Sequence, residues 1–264
     1  MLAPRTSFRF GLSPSLGLHR THQLARRLEE ALALAVALPV QVTVAGSYEH
    51  LEAMLLGGSL EAAWVNPLLL ARMRGAGAEA CLRGIRHGST SFRSALVVRR
   101  GEVDGPEDLR GRRAAWTDPE SLAGYRLPLH FLRSRGLHPE RLFPSERFTF
   151  SYPTALGRLL DGSADVAPCF VHRGDAEALE GVLRLLVGSE ASRLEPLAFT
   201  EPVPNDGLVF APHLPAAVAE ELSSRVEEVL HDSAGRAVLE LLDVEQVVRA
   251  DSLVDEPIGW LAAV

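Results

Sequence analysis

The alternation of apolar strand-like segments with helical segments is the feature that most limits how this chain can fold. An apolar strand at Ser7–Leu12 precedes a helical pattern over Thr21–Ala37, in which the leucines share one face. Val40–Ala45 alternates like a second strand, Tyr48–Leu56 is a second helix, and Ala62–Val65 is a third strand. This β-α-β-α-β order predicts an α/β fold with mainly parallel sheets flanked by helices.

The same alternation returns after about residue 105, which predicts a second lobe. Its predicted strands and helices are Arg113–Trp116, Ser121–Ser134, Arg147–Phe150, Pro153–Leu160, Ala164–Cys169, Ala176–Leu186 and Leu194–Phe199.

The segment after Thr200 has too few elements for a new domain, so we expect it to return and complete the first lobe. The predicted domains are therefore 1–100 with 203–264 as lobe 1 and 101–202 as lobe 2, with a ligand cleft between them. The two crossovers are predicted near Arg99–Gly105 and Phe199–Pro204.

Composition excludes several functional classes. The 27 lysine and arginine positions are all arginine. Enzymes that need a lysine Schiff base and proteins that need the P-loop lysine are therefore excluded. The net charge of -7 argues against a nucleic-acid partner. No apolar run is long enough to span a membrane. The first residues lack the apolar core of a secretory signal, which predicts a cytoplasmic protein as written, or a periplasmic one if a leader was removed before Met1.

Nothing in the sequence predicts a metal or a cofactor. Cys81 and Cys169 have no CxxC partner and are interpreted as buried free thiols. His19 and His22 share a helix start, but no carboxylate or cysteine nearby completes a metal site.

The segment Trp116–Pro128 reads W-T-D-P-E-S-L-A-G-Y-R-L-P and contains the clearest candidate binding feature. Ser121 is placed to cap a helix that follows a strand, where backbone N–H groups can bind an anion. Leu122 and Ala123 follow without a hydroxyl, so their side chains do not reinforce such a site.

Seven motifs occur together in an order that resembles the type 2 periplasmic-binding-protein fold, and within it the phosphonate-binding proteins of ABC transporters. They are F-G-L-S at Phe10–Ser13, A-G-S-Y at Ala45–Tyr48, G-G-S-L-E-A-A-W-V-N-P at Gly57–Pro67, S-F-R-S-A-L-V-V at Ser91–Val98, E-D-L-R-G-R-R-A-A-W-T-D-P-E-S at Glu107–Ser121, L-D-G-S-A-D-V-A at Leu160–Ala167 and P-N-D-G-L-V-F at Pro204–Phe210.

The resemblance implies two lobes that close on a small molecule, and it assigns ligand contacts by position. The family's Ser-Thr-Ser-Gly clamp falls on Ser121–Gly124, of which only the first serine and the glycine match. The implied contacts are Ser13, with Ser15 beside it, Tyr48, Asn66, Phe92, Ser121, Leu122, Ala123, Tyr152, His172 and Asp206.

The departures from the clamp argue against a plain alkylphosphonate, because a buried dianion needs several donors. Backbone N–H groups near Ser121 and an arginine, Arg93 or Arg126, are candidates to replace the lost hydroxyls. A larger ligand with an apolar or aromatic part and one polar end fits the remaining side chains better.

Three functions of different classes are consistent with the sequence. The first is a solute-binding protein for an anionic or zwitterionic molecule, with an ABC permease as partner. The second is a cytosolic enzyme on the same fold, in which His172, Asp206 and Tyr152 would be the acid/base residues. The third is a sensor that docks on another protein when closed.

Overall fold

A computed structural model describes residues 7–12, 18–78 and 80–249. They form two compact units. The first unit contains the described residues up to Thr90 and those from Pro204 onward, and the second contains Ser91–Val203. The chain therefore passes into the second unit after Thr90 and returns after Val203.

Strands and helices alternate in both units. The strands are β1 (Phe8–Leu12), β2 (Val40–Val44), β3 (Ala62–Val65), β4 (Ala80–Ile85), β5 (Ser91–Arg99), β6 (Arg113–Trp116), β7 (Ser145–Phe148), β8 (Ala167–Val171), β9 (Leu194–Phe199), β10 (Val203–Pro204), β11 (Gly207–Phe210) and β12 (Gln246–Arg249). The helices are α1 (Leu18–Val36), α2 (Tyr48–Leu56), α3 (Pro67–Gly75), α4 (Leu127–Ser134), α5 (Pro139–Leu142), α6 (Tyr152–Leu160), α7 (Ala176–Val187), α8 (Ala216–His231) and α9 (Ser233–Leu242).

The first unit is built on a six-stranded sheet in the order β12-β4-β11-β3-β1-β2. β1 is parallel to β2 and to β3, whereas β11 is antiparallel to β3 and β4, and β12 is antiparallel to β4. One face packs on α1, α8 and α9, and the other packs on α2 and α3.

The second unit pairs β5 with β8, β9 and β10, and it pairs β6 with β7. The β5 pairings with β8 and β9 are antiparallel, and the β6 pairing with β7 is parallel. A parallel bridge between Ala114 and Val166 connects β6 to the segment that enters β8.

Two details of the predicted architecture differ from the structure. The sheets are mixed rather than mainly parallel, because β5, β11 and β12 run against their neighbours. β5 also belongs to the second unit, whereas the predicted boundary at residue 100 assigned it to lobe 1. Its pairing with β8 and β9 decides this, and a local sequence pattern carries no information about distant partners.

Several predicted elements shift by a few residues. The predicted strand Arg147–Phe150 lies at Ser145–Phe148, because the backbone of Phe150 is left-handed (φ 60°) and cannot continue a strand. β8 is Ala167–Val171 rather than Ala164–Cys169, and β12 was not predicted.

Two tryptophans near the ends of strands belong to the core. Trp64 and Trp116 are buried, and Trp116 lies among aromatic neighbours in the second unit. Cys169 is a buried free thiol, as predicted.

Asp165 ties the start of β6 to the turn before β8. Its carboxylate accepts hydrogen bonds from the Arg113 side chain and backbone N–H, and from Arg99, all at 2.9 Å. The hydrogen bonds from Arg113 and the hydrogen bond from Arg99 hold the pKa of Asp165 well below its usual range. The side chain is only 8% exposed, so removing its charge leaves cations without their partner.

We expect Asp165→Asn to lower the free energy of unfolding by about 3 kcal/mol at pH 7. Because the folded pKa is depressed, the stabilisation is present above the unfolded pKa of about 3.9 and is lost as the pH falls. The difference from the parent chain should therefore shrink by about 1.4 kcal/mol for each pH unit below about 4. Urea unfolding between pH 7 and pH 3 measures it.

Glu180→Gln is the control, because Glu180 makes an exposed ion pair with Arg184. It should change the unfolding free energy by less than about 0.5 kcal/mol. A difference for Asp165→Asn that is equal at pH 7 and pH 3 would show that the charge is not the cause.

Candidate functional site

The carboxyl ends of β1, β2 and β3 lie at one edge of the sheet in the first unit, because these strands are parallel. β11 is antiparallel to β3, with Gly207 opposite Val65, so β11 begins at this edge. β4 ends there for the same reason. Open α/β sheets bind ligands at such edges. We call this edge 1, which carries Tyr48, Asn66, Arg86 and Asp206.

Tyr48 and Asn66 reach edge 1 because a helix begins directly after β2 and after β3. The Ser47 hydroxyl caps α2, and Tyr48 is the first residue of that helix. Asn66 caps α3, since its Oδ1 accepts a hydrogen bond from the backbone N–H of Leu69 at 2.8 Å. Both Tyr48 and Asn66 are buried. The Asn66 side-chain oxygen is therefore occupied in holding the helix.

Asp206 at edge 1 is held by an arginine. The Arg86 guanidinium donates to Asp206 Oδ2 at 3.2 Å, and the two side chains are 10% and 28% exposed. The neighbouring Asn205 is fully buried and donates to the carbonyls of Gly84 and Ser89 at 2.9 and 2.8 Å. The loop that carries Asp206 is thereby fixed.

Some predicted residues lie outside the described part of the chain. Ser13 and Ser15, the predicted contacts after β1, are among them, as are the side chains of His19 and Cys81.

The second unit has a corresponding edge. β6 and β7 are parallel and end together, and β8 ends on the same side because of its parallel bridge to β6. β5 is antiparallel to β8, with Arg93 opposite Val171, so β5 begins there. We call this edge 2, which carries Phe92, Arg93, Ser121, Tyr152 and His172.

Ser121 caps a helical run, as predicted, but the run begins with a π-helical turn, Leu122–Arg126. The backbone N–H of Arg126 donates to the Ser121 carbonyl at 3.1 Å, one residue further than in an α-helix. The Ser121 hydroxyl accepts from the N–H of Gly124 at 3.1 Å. Such turns are frequent at functional sites.

Pro128 lies inside this helical run, and donors from outside the run bind the backbone carbonyls that precede it. Proline has no N–H, so Pro128 gives this part of the helical run one backbone donor fewer. The Gly124 carbonyl accepts instead from the backbone of Thr117 at 3.2 Å, and the Ala123 carbonyl accepts from the Ser94 hydroxyl at 2.6 Å. The predicted single helix Ser121–Ser134 is therefore a π-turn followed by α4.

Leu122 and Ala123 are 1% and 4% exposed. They stand where the resemblance places two hydroxyl residues, and their side chains offer no hydrogen-bond donor. The polar groups at this position are therefore the Ser121 hydroxyl and the groups of the backbone.

Aromatic side chains connect two of the predicted residues at edge 2. The Phe170 ring meets Tyr152 edge-on at 5.2 Å between centroids, and it meets His172 at 5.8 Å. Tyr152 is the first residue of α6, behind the N-cap Ser151, and His172 follows β8. Phe92 is buried on β5.

The two arginines proposed to replace the lost hydroxyls differ in their partners. Arg126 pairs with Glu120 and donates to the Pro119 carbonyl at 2.7 Å. Arg93 donates from one nitrogen to the Thr200 carbonyl at 3.0 Å. Within the described ranges, no acidic side chain lies within ion-pair distance of Arg93. The Arg93 side chain passes close to Gly174, where an added Cβ would lie only 3.3 Å from it.

Phe148 and Phe150 are exposed aromatic residues at edge 2 that sequence reasoning missed. Phe150 is 53% exposed and has a left-handed backbone, held by a hydrogen bond from its N–H to the Thr117 carbonyl at 2.8 Å. The signal was present, because F-T-F-S-Y places aromatic residues at alternate positions before α6. A bulky residue with positive φ is rare, and such strain clusters at functional sites.

Two side chains with nucleophilic atoms, Cys169 and Ser151, are poorly placed for catalysis. Burial raises the pKa of the Cys169 thiol, so the thiolate is disfavoured. The Ser151 hydroxyl caps α6 and lies 2.8 Å from the Thr154 hydroxyl. Asp118 accepts a hydrogen bond from the Glu120 N–H at 2.7 Å, which caps the turn at Pro119.

Several solved structures share this fold at low sequence identity. A binding-protein component of an ABC phosphonate transporter from Pseudomonas aeruginosa is 18% identical, with a TM-score of 0.81 over 97% of this chain and 85% of its own. PhnD1 from Prochlorococcus marinus, in complex with methylphosphonate, is 15% identical, with a TM-score of 0.80 over 98% and 97%. A Xanthomonas citri protein bound to ATP is 15% identical, with a TM-score of 0.78 over 98% and 96%.

The fold thus defines the class: this is a two-lobed α/β protein of the type 2 periplasmic-binding-protein fold. No curated protein matches the chain significantly in sequence. The family model of the periplasmic phosphonate substrate-binding proteins of ABC transporters matches residues 10–253, and the chain belongs to this family. It is therefore a solute-binding protein by family.

Among the described helices, none combines the length and the hydrophobicity that a membrane-spanning segment needs.

We expect Gly124→Ala to lower the free energy of unfolding by about 1–3 kcal/mol, the usual cost of overpacking. A Cβ at this position would lie 1.6 Å from Thr117 Oγ1 and 2.6 Å from Ser121 Oγ, so the strand end and the helix start would have to separate. Thermal or urea unfolding measures the loss.

Gly181→Ala is the matched control, because this glycine lies in α7 with nothing within 4 Å of the added Cβ. It should stabilise the chain by up to about 1 kcal/mol. Equal effects of the two substitutions would contradict the close approach at Gly124.

Proposed function

We propose that this protein captures a small organic anion by closure of its lobes, with contacts contributed by edge 1 and by edge 2, and delivers it to an ABC permease. Family membership supports the solute-binding role. The observation that carries the proposal is that each unit gathers its predicted contacts at one sheet edge: Tyr48, Asn66 and Asp206 at edge 1, and Phe92, Ser121, Tyr152 and His172 at edge 2.

The anionic end of the ligand would bind at the start of the helical run behind Ser121. Backbone N–H groups at a helix start favour an anion. Because Leu122 and Ala123 are apolar, they cannot donate hydrogen bonds to the anion. We propose that the positive charge of Arg93 compensates for these donors. Its guanidinium retains donors beyond the one that binds Thr200, and such a fork fits a phosphonate or carboxylate with two parallel hydrogen bonds.

The remainder of the ligand would be apolar or aromatic. Leu122, Ala123 and Phe92 contribute no charge, and Tyr48 and Tyr152 offer aromatic surface with a polar tip. The exposed ring of Phe150 beside Tyr152 adds to this surface. A phosphonate or carboxylate with a bulky organic group therefore fits better than methylphosphonate.

The family to which the chain belongs is periplasmic, and we propose that the protein acts there with a membrane permease as partner. Lobe closure on the ligand would present the closed form to that permease.

Calorimetric titration tests the function with methylphosphonate, phenylphosphonate, inorganic phosphate and benzoate. We expect saturable binding of one molecule, with phenylphosphonate at least about tenfold tighter than methylphosphonate, a difference of about 1.4 kcal/mol. Ligand should also raise the melting temperature. Absence of binding by all four anions would refute the proposal.

Two serine variants of the same helical run provide a matched control for this titration. Ser121→Ala removes the cap hydroxyl at edge 2, whereas Ser134→Ala removes a hydroxyl that donates to the Phe131 carbonyl at the other end. Only Ser121→Ala should weaken binding.

We expect Arg93→Gln to weaken phenylphosphonate binding by about tenfold or more, because a charge-assisted hydrogen bond is worth about 1.5–3 kcal/mol. Arg100→Gln is the control, since it removes the same charge just beyond the other end of β5, where Arg100 pairs with Glu195 on the surface. Titration of both variants measures the effect. An equal change in the two would mean that Arg93 acts only through the net charge.

A further inference from the structure

The Arg86–Asp206 pair bears on which ligands this protein can accept. Arg86 follows β4, and its guanidinium also donates to the carbonyls of Leu242 and Asp243 at 3.2 and 3.0 Å. These carbonyls close the carboxyl end of α9. Three acceptors thus hold one buried guanidinium, and Asp206 is the only one of them that carries a charge.

The position of Asp206 is fixed independently of its side chain. Its carbonyl accepts a hydrogen bond from the N–H of Gly84 at 3.0 Å, and the N–H of Asn205 donates to the Thr90 carbonyl at 2.8 Å. The backbone of Asp206 is therefore fixed, and its carboxylate can leave Arg86 only by a change of side-chain rotamer.

Asp206 is the sole acidic residue among the predicted ligand contacts. A carboxylate is the group that would bind a ligand ammonium, because it accepts charge-assisted hydrogen bonds. Here an ammonium at Asp206 would lie close to the Arg86 guanidinium, which repels a second positive charge. If it displaced the arginine, a largely buried guanidinium would keep only neutral acceptors, which is costly.

Three acidic groups near edge 2 are likewise engaged. Glu120 pairs with Arg126, and Asp118 accepts from a backbone N–H. Asp175 pairs with Arg173 and caps α7. The charges of Glu120 and Asp175 are thus compensated by a cation or a helix start.

We propose that Arg86 is a specificity-determining residue that neutralises Asp206 and thereby excludes ligands with a cationic group. The ligand is then an organic anion, such as an alkyl- or arylphosphonate or a carboxylate, and not a zwitterionic aminoalkylphosphonate. This inference rests on the proposed function, and it decides between the anionic and zwitterionic ligands that the sequence leaves open.

The test uses two ligands of nearly equal shape, propylphosphonate and 2-aminoethylphosphonate. Propylphosphonate carries a methyl group where 2-aminoethylphosphonate carries an ammonium. Calorimetric titration of the full chain should show propylphosphonate at least about tenfold tighter. Tighter binding of 2-aminoethylphosphonate would overturn the inference while leaving the solute-binding function intact. If neither phosphonate binds, the proposed function fails.

Two variants then assign the effect to the pair. Arg86→Gln releases Asp206 and should shift the affinity ratio toward 2-aminoethylphosphonate by about tenfold or more. Because Arg86 also binds the end of α9, Asp206→Asn serves as the second variant, which keeps the contacts of Arg86 with both carbonyls. It should keep or widen the preference for propylphosphonate, because Arg86 then has no counter-charge to offset its repulsion of an ammonium.

Tighter binding of 2-aminoethylphosphonate than of propylphosphonate by the parent chain, reversed in Asp206→Asn, would show that Asp206 recognises the ammonium and would overturn the inference. An unchanged ratio in an Arg86→Gln protein that has the circular dichroism spectrum of the parent chain would overturn it as well.

Discussion

Strand direction is the constraint on which the candidate site depends. Parallel strands end at the same edge of a sheet, and a helix that begins directly after such a strand places its first residues there. Tyr48 and Asn66 reach edge 1 in this way, and Ser121 and Tyr152 reach edge 2. The antiparallel strands complete each edge by beginning there, which adds Asp206 through β11 and Phe92 through β5.

Around Ser121, hydrogen bonds of the backbone hold the loop in place, although Leu122 and Ala123 stand where the resemblance implies hydroxyl residues. Pro128 has no N–H to donate within the helical run, and donors from outside it, the Thr117 backbone and the Ser94 hydroxyl, bind the carbonyls of Gly124 and Ala123. These bonds fasten the π-turn to the end of β6 and to β5. The apolar side chains of Leu122 and Ala123 are compatible with this arrangement, because the geometry is held by the backbone.

The sequence predicts local features well, because their causes lie within a few residues. The N-caps Ser47, Asn66 and Ser121 and the strands before them follow from short patterns of capping and apolar residues. The assignment of β5 to the wrong lobe has a different origin, since β5 is placed by pairing with β8 and β9 far along the chain. The left-handed Phe150, which ends β7 early, is not encoded in residue preference, because phenylalanine disfavours that conformation.

The role of Asp206 could not be predicted for the same reason. Its sequence context, Asn-Asp-Gly, is that of an ordinary turn, and nothing nearby indicates a cation. Arg86 lies 120 positions away and is brought to Asp206 only by the antiparallel pairing of β4 with β11. Likewise, the choice between Arg93 and Arg126 depends on Glu120, whose side chain takes Arg126 as its partner.

The attachment of Arg86 to the last carbonyls of α9 has a consequence for how this protein can diversify. The charge presented at edge 1 depends on the final turn of a helix that itself contributes none of the predicted contacts. Insertions or substitutions in that turn could reorient the Arg86 guanidinium and so change which ligands are accepted, although every predicted contact residue is retained. Related chains with identical pocket residues could then differ in cargo.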